Sequence, residues 1–208
     1  MVGAVIVTGV IAAGAGALGT AIGDDDSTTS TTEPARLSAE AQELVDLLDM
    51  RDDTIYHARY QGSSPDAGRI LLETWQSPPL ARQDSELTAE GQTVRTATLV
   101  LESTEVRCTR IGDAAWTCVE GPLTDPDASD PLRDIRARLG EGSVTASDAQ
   151  IDGQAVRCFR FAIEGVTNEL CLRADTGIPV TVNSGGSTLE LLDLEEEVDQ
   201  SVFVPPAE

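Results

Sequence analysis

Four cysteines fall in two close pairs, Cys108 with Cys118 and Cys158 with Cys171, and this spacing constrains the fold more than any other feature of the chain. Each pair flanks a short turn, so two antiparallel strands joined there bring the thiols face to face. In the second pair, a two-residue turn at Glu164-Gly165 makes Ile163 and Val166 the first hydrogen-bonded pair. Pair types alternate outward, which sets Cys158 opposite Cys171 at a non-hydrogen-bonded position, where Cα atoms lie roughly 4.5 Å apart. That separation suits a disulfide. The same register places Arg160 against Glu169, a favourable cross-strand charge pair. It leaves Phe159 and Phe161 on the other face with Leu170, and Ile163 with Val166.

The first pair follows the same logic. A loop at Gly112-Asp113-Ala114 sets Cys108 opposite Cys118 and Arg110 opposite Trp116, within reach of a cation–π contact. Zinc knuckles and redox dithiols need closer cysteine spacings that do not occur here. Free thiols are the remaining alternative to two disulfides, and disulfides place the domain in an oxidising compartment.

Residues 1–23 carry no charged side chain. As a helix they reach about 34 Å, enough to cross a hydrocarbon core of roughly 30 Å. The expectation is one amino-terminal transmembrane signal-anchor, with a cleaved signal peptide as the alternative and secretion as its consequence. Gly19 and Gly23 form one GxxxG, weak by itself as a helix-association signal. Gly14, Gly16 and Gly19 also spell GxGxxG, but Asp24-Asp25-Asp26 and a Ser/Thr run follow instead of a helix and second strand. The dinucleotide reading therefore fails. Residues 24–36 read as a flexible acidic Ser/Thr linker. With the cysteines oxidised, the part beyond the linker lies outside the cytoplasm.

Residues 37–208 suit one domain. Ser38 can cap a helix to about residue 50 whose apolar stripe is Leu37, Ala41, Leu44, Val45 and Leu48. The periodicity then changes to two, predicting strands over 55–61, 68–76, 80–87, 93–102, 105–111 and 115–120. A short helix capped by Asp130, with Pro131 at its first position and Leu132, Ile135 and Leu139 inward, ends at Gly140. Strands over 150–163, 166–173, 179–183 and 188–193 complete the pattern. Consecutive strands with tight turns and only two helices predict an α+β fold built on an antiparallel sheet.

The net charge is −22 and every basic residue other than histidine is arginine, which disfavours nucleic acid and anionic membrane faces as partners. Aromatic residues make up 3% of the chain, so any cavity must be lined mainly by aliphatic side chains. The one histidine, His57, reads as packing or surface. No nucleophile elbow or phosphate-cradling loop occurs. Asp125, Asp127 and Ser129 imitate the start of a calcium loop, but Asp130 and Arg136 stand where glycine and glutamate are required. The expectation is a protein that is not an enzyme, with no cofactor and no metal.

The carboxyl-terminal third runs Cys158-Phe159, Glu169-Leu170-Cys171-Leu172, Asp175-Thr176-Gly177-Ile178-Pro179, then Val198-Asp199-Gln200-Ser201-Val202-Phe203-Val204-Pro205-Pro206. With the helix-then-strands order before it, this resembles the LolA/LppX-like lipoprotein-carrier superfamily, including RseB-like sensor domains, over roughly residues 37–206. The resemblance implies a strongly curved, unclosed half-barrel with helices on its concave face. It also implies a cavity for a lipid or lipoprotein acyl chain, here lined by Leu44, Leu48, Phe159, Phe161, Leu170 and Leu172. The competing reading of those six is a plain core between helix and sheet. The functional expectation is a membrane-anchored lipid-binding domain of the bacterial cell envelope. The alternative is a sensory or protein-interaction module regulating a membrane partner.

Overall fold

A computed structural model describes residues 37–65, 68–123, 135, 138–139 and 142–207. The expected transmembrane segment 1–23, the linker 24–36, the calcium-like stretch and the start of the second helix lie outside the described residues. Among the described residues, no helix is long and apolar enough to cross a membrane.

Helix α1 spans Ala39–Asp53, and its cap is Ser38, whose side chain accepts from the Ala41 amide at 3.1 Å. Among the described residues eleven strands follow: β1 Tyr56–Ser64, β2 Gly68–Ser77, β3 Leu80–Ala89, β4 Gln92–Leu101, β5 Thr104–Ile111, β6 Thr117–Pro122, β7 Thr145–Ile151, β8 Gln154–Ile163, β9 Val166–Arg173, β10 Pro179–Ser184 and β11 Ser187–Glu195. They form one antiparallel sheet in the order β6-β5-β4-β3-β2-β1-β11-β10-β9-β8-β7. The two end strands do not pair with each other, so the curved sheet stays unclosed. Two up-and-down meanders, β1–β6 and β7–β11, meet at the β1–β11 ladder.

One expectation needs correction. The stretch 150–163, which reads as one strand in the sequence, is the end of β7, a turn and β8. Asp152 and Gly153 have φ of 51° and 79°, and Glu164 and Gly165 have 51° and 79°. Positive φ at both central residues is the hairpin turn whose twist matches the strands, and Asp-Gly favours it. The strand over 145–149 gives no sequence signal, because Thr-Ala-Ser-Asp-Ala lacks apolar alternation.

Cross-strand partners trace one apolar row over ten strands: Ala146, Phe159, Leu170, Val182, Leu189, Gly62, Ile70, Leu87, Val94 and Ile111. Helix α1 packs over one end of that row. Its Ala41, Leu44, Leu47 and Leu48 form one cluster with Ile135, Leu139, Val144, Phe159, Phe161, Leu170 and Leu172. Ile135 and Leu139 point into this core as their spacing predicts. Leu37 and Val45 of the expected α1 stripe pack against the edge of this cluster, and the stripe gains two buried residues that the expectation left out, Leu47 and Arg51.

Both disulfides are formed, Cys108–Cys118 and Cys158–Cys171, and no cysteine is free. Cys158 faces Cys171 and Arg160 faces Glu169, in the register read from the sequence. Both bridges lie on the sheet face opposite α1. Around Cys108 that face carries a second apolar patch of Ala97, Leu99 and Val106.

Candidate functional site

The six residues expected to line a cavity do converge. Leu44 and Leu48 lie one turn apart on α1, above Phe159 and Phe161 of β8 and Leu170 and Leu172 of β9. Their exposures are 0%, 0%, 0%, 5%, 1% and 0% in that order. They pack against one another as the interior between helix and sheet. Phe159 is among the largest fully buried side chains of the domain.

Beyond α1 the same sheet face changes character. The apolar row continues through Leu87 and Val94, both half-buried, to Ile111 at 55% exposure. Rows beside it carry Gln83, Ser85, Thr96, Thr98 and Thr109. Ser85 and Thr96 hydroxyls meet at 2.6 Å across β3 and β4.

Two surface clefts lie away from the six-residue core. One of about 370 Å³ sits on the disulfide face and is lined by Arg160, Thr167, Glu169 and the β10–β11 turn, Ser184 to Ser187. Its lining is hydroxyls and backbone around one ion pair, Arg160 to Glu169 at 3.2 Å. The second, of about 280 Å³, lies between α1 and β7–β8, lined by Glu43, Asp46, Leu47, Met50, Asp148, Arg157 and Ala174. Arg157 donates to both oxygens of Glu43, at 2.9 and 3.0 Å, and to Asp148 at 3.0 Å. Its hydrogen bonds to Glu43 hold the guanidinium charged, above its ordinary range. Three carboxylates against one guanidinium leave the cleft acidic. Sequence alone singles out none of these residues, because their proximity depends on α1 lying along the β7–β8 hairpin.

On the disulfide face, His57 stacks on Trp75 with ring centroids 4.9 Å apart. Its Nδ1 is 3.0 Å from Glu195 and its Nε2 is 2.7 Å from Glu73. Arg82 lies over Trp75, 5.3 Å from the ring centroid, chelates Asp84, and donates to the carbonyls of Val202 and Val204. The carboxyl-terminal tail is thereby fastened across β3. Among the described residues, no group of three or more His, Cys, Asp or Glu side chains is arranged to hold a metal.

A curved, unclosed antiparallel sheet with α1 over one end is a fold that solved structures share. MucB aligns with a TM-score of 0.53 at 13% identity, over 82% of this chain and 64% of MucB. The chain shares the fold of MucB. The sequence-level resemblance to RseB-like domains therefore holds at the level of fold. The chain spans about 64% of the length of the MucB chain. An uncharacterized conserved protein of Thermus thermophilus aligns equally well, with a TM-score of 0.53 at 13% identity, over 78% of this chain and 91% of that one. MucB has also been solved in complex with MucA(peri), a structure that aligns with a TM-score of 0.44 at 12% identity, over 76% of this chain and 56% of that one. No family model matches the chain, and no curated protein matches it.

Proposed function

We propose that this chain is a non-catalytic binding domain of the bacterial cell envelope. In this reading it is held outside the cytoplasm by residues 1–23 and the linker 24–36, and it acts as a sensory or interaction module on a protein partner. The observation that carries this reading is the closed core. The six residues that would line an acyl cavity fill the space between α1 and β8–β9, with none above 5% exposure. What the domain offers a partner is therefore surface, and that surface is acidic and stapled by two disulfides.

The apolar row beyond α1 supports a second reading. Leu87, Val94 and Ile111 stand partly exposed beside a band of hydroxyls, a surface on which a lipid or lipoprotein acyl chain would lie with its apolar side inward. Native mass spectrometry of the gently purified full chain separates the two. The protein-binding reading expects the bare mass or a defined protein complex. A co-purifying lipid adduct, removed by polar substitutions at Leu87 and Val94, would replace it with the second reading.

A further inference from the structure

Strands β6 and β7 terminate the sheet, and the two edges differ. Counting outward from the Asp152-Gly153 turn, Ile151, Ala149, Ser147 and Thr145 bond to β8. The backbone groups of Ala146, Asp148 and Gln150 therefore face outward, with no strand beside them among the described residues. Five of the seven residues of β7 are exposed. On β6 the equivalent outward positions are Cys118, Glu120 and Pro122; proline cannot donate, which blunts that edge. The open template is β7.

Charge at this edge selects the occupant. Asp148 shares the helix face of β7 with Ala146 and Gln150; it accepts from Arg157 at 3.0 Å, and its side chain is still 91% exposed. Beside it, Asp46 and the Arg157-paired Glu43 line the cleft against α1 together with Leu47 and Met50, leaving an excess of carboxylates over the one guanidinium. Pairing two copies of β7 about Asp148 would oppose like charges directly, which is unfavourable, and the chain contains no lysine. A cationic strand meets the opposite situation. Its basic side chains on the helix face would lie against Asp148 and Asp46, and their aliphatic stems over Met50.

We propose that the open edge of β7 takes up an extended, lysine- or arginine-rich segment of a partner protein as a twelfth strand. Main-chain hydrogen bonds to Ala146, Asp148 and Gln150 supply the pairing, and the α1–β7 carboxylates supply the selectivity. This rests on the protein-binding reading above.

The test uses the full chain and a fluorescent peptide of alternating lysine and valine matching β7 in length, with a glutamate-for-lysine control. Binding by anisotropy should weaken with salt and be absent for the control. Asp148→Lys, a change at an exposed side chain, should weaken it about tenfold. Gln150→Pro removes an outward N–H while sparing the β7–β8 bonds, and should weaken it about fivefold or more. Amide exchange at Ala146, Asp148 and Gln150 should slow with peptide bound, a readout independent of either variant. Equal uptake of the glutamate peptide, unchanged affinity in Asp148→Lys, or no slowing of those amides would overturn the proposal. A native partner retained equally by both variants would overturn the edge site while leaving the protein-binding reading intact.

Discussion

Arg59 of β1 and Asp193 of β11 face each other across the ladder that joins the two meanders, Nη2 to Oδ2 at 2.7 Å. Further along the same face, His57 pairs with Glu195 and also reaches Glu73 on β2. Just beyond Arg59 the register shifts by a bulge, and Tyr60 then opposes Leu191. Tyr60 is buried at 6% exposure, and burial pushes its phenol far above the usual tyrosine range. The seam is thus polar on the disulfide face and apolar on the helix face. Each half of the sheet is a local meander, but this ladder pairs strands more than a hundred residues apart in sequence.

His57 stands between two carboxylates that would otherwise confront each other beside the seam. His57→Ala is expected to lower stability by about 1 kcal/mol, because the partners are partly exposed and screened. For a domain of this size that corresponds to a melting shift of roughly 2–4 °C. Thermal unfolding followed by circular dichroism measures it. An unchanged midpoint would mean that the two contacts contribute nothing to the seam.

The six interior residues distinguish core from ligand site by the kind of damage their loss causes. Phe159 is fully buried against α1. Phe159→Ala is expected to cost about 3–5 kcal/mol in denaturant unfolding, and Leu172→Ala about 2–5 kcal/mol. A ligand-lining role would instead show lost binding with stability nearly intact.

The cysteine register is legible in the sequence because a Gly-containing turn and alternating partners fix every cross-strand pair at once, from Cys158–Cys171 to Arg160–Glu169. The same count assigns Phe159 and Leu170 to the helix face. Three features are not legible. Strand β7 has too few apolar residues for a period to show, which also hides its turn at Asp152-Gly153. Arg51 is buried although charged, since its guanidinium meets Asp52 at the end of α1. The acidic cleft of Glu43, Asp46 and Asp148 joins residues about a hundred positions apart, and local sequence holds no record of that proximity.

The disulfides close short loops, with sequence separations of 10 and 13. By the chain-entropy estimate each contributes about 2–3 kcal/mol. Thiol titration of the denatured, unreduced chain should find essentially no free thiol. Reduction, or the pair Cys158→Ala with Cys171→Ala, should lower the denaturant midpoint. Four titratable thiols would overturn the bridges and the compartment they imply.

Acid should loosen two turns in the carboxyl-terminal region. Hydrogen bonds from Arg173, at 3.0 and 2.8 Å, hold the Asp175 carboxyl below its ordinary range, and the Ser201 amide does the same for Asp199. A carboxylate with a lowered pKa stabilises the fold above its unfolded value, and that contribution disappears as pH falls through the folded one. The stability curve should therefore decline on acidification below the normal aspartate range, more gently in Asp175→Asn and Asp199→Asn. Both groups are largely exposed, so each effect is small. Identical acid limbs in wild type and both variants would show that these turns are not linked to global stability.

The Asp175-Thr176-Gly177 turn presses on α1 closely enough to admit only glycine. Gly177 has φ +70°, and a Cβ there would lie 1.8 Å from the Leu47 carbonyl oxygen and 3.2 Å from the Arg51 amide nitrogen. Both atoms are backbone, so no side-chain adjustment relieves the clash. The turn is itself tied down, with the Gly177 amide on the Arg173 carbonyl and the Arg173 amide on the Ile178 carbonyl, both at 2.9 Å. Gly177→Ala must push α1 off the sheet or break this turn, and is expected to cost roughly 3 kcal/mol or more. Gly153 supplies the control, because it has φ +79° and a Cβ there would meet nothing within 4 Å. Gly153→Ala should cost only the left-handed backbone, about 1–2 kcal/mol. Urea titration of both variants reads the difference directly. Equal losses would mean that the turn does not clamp α1.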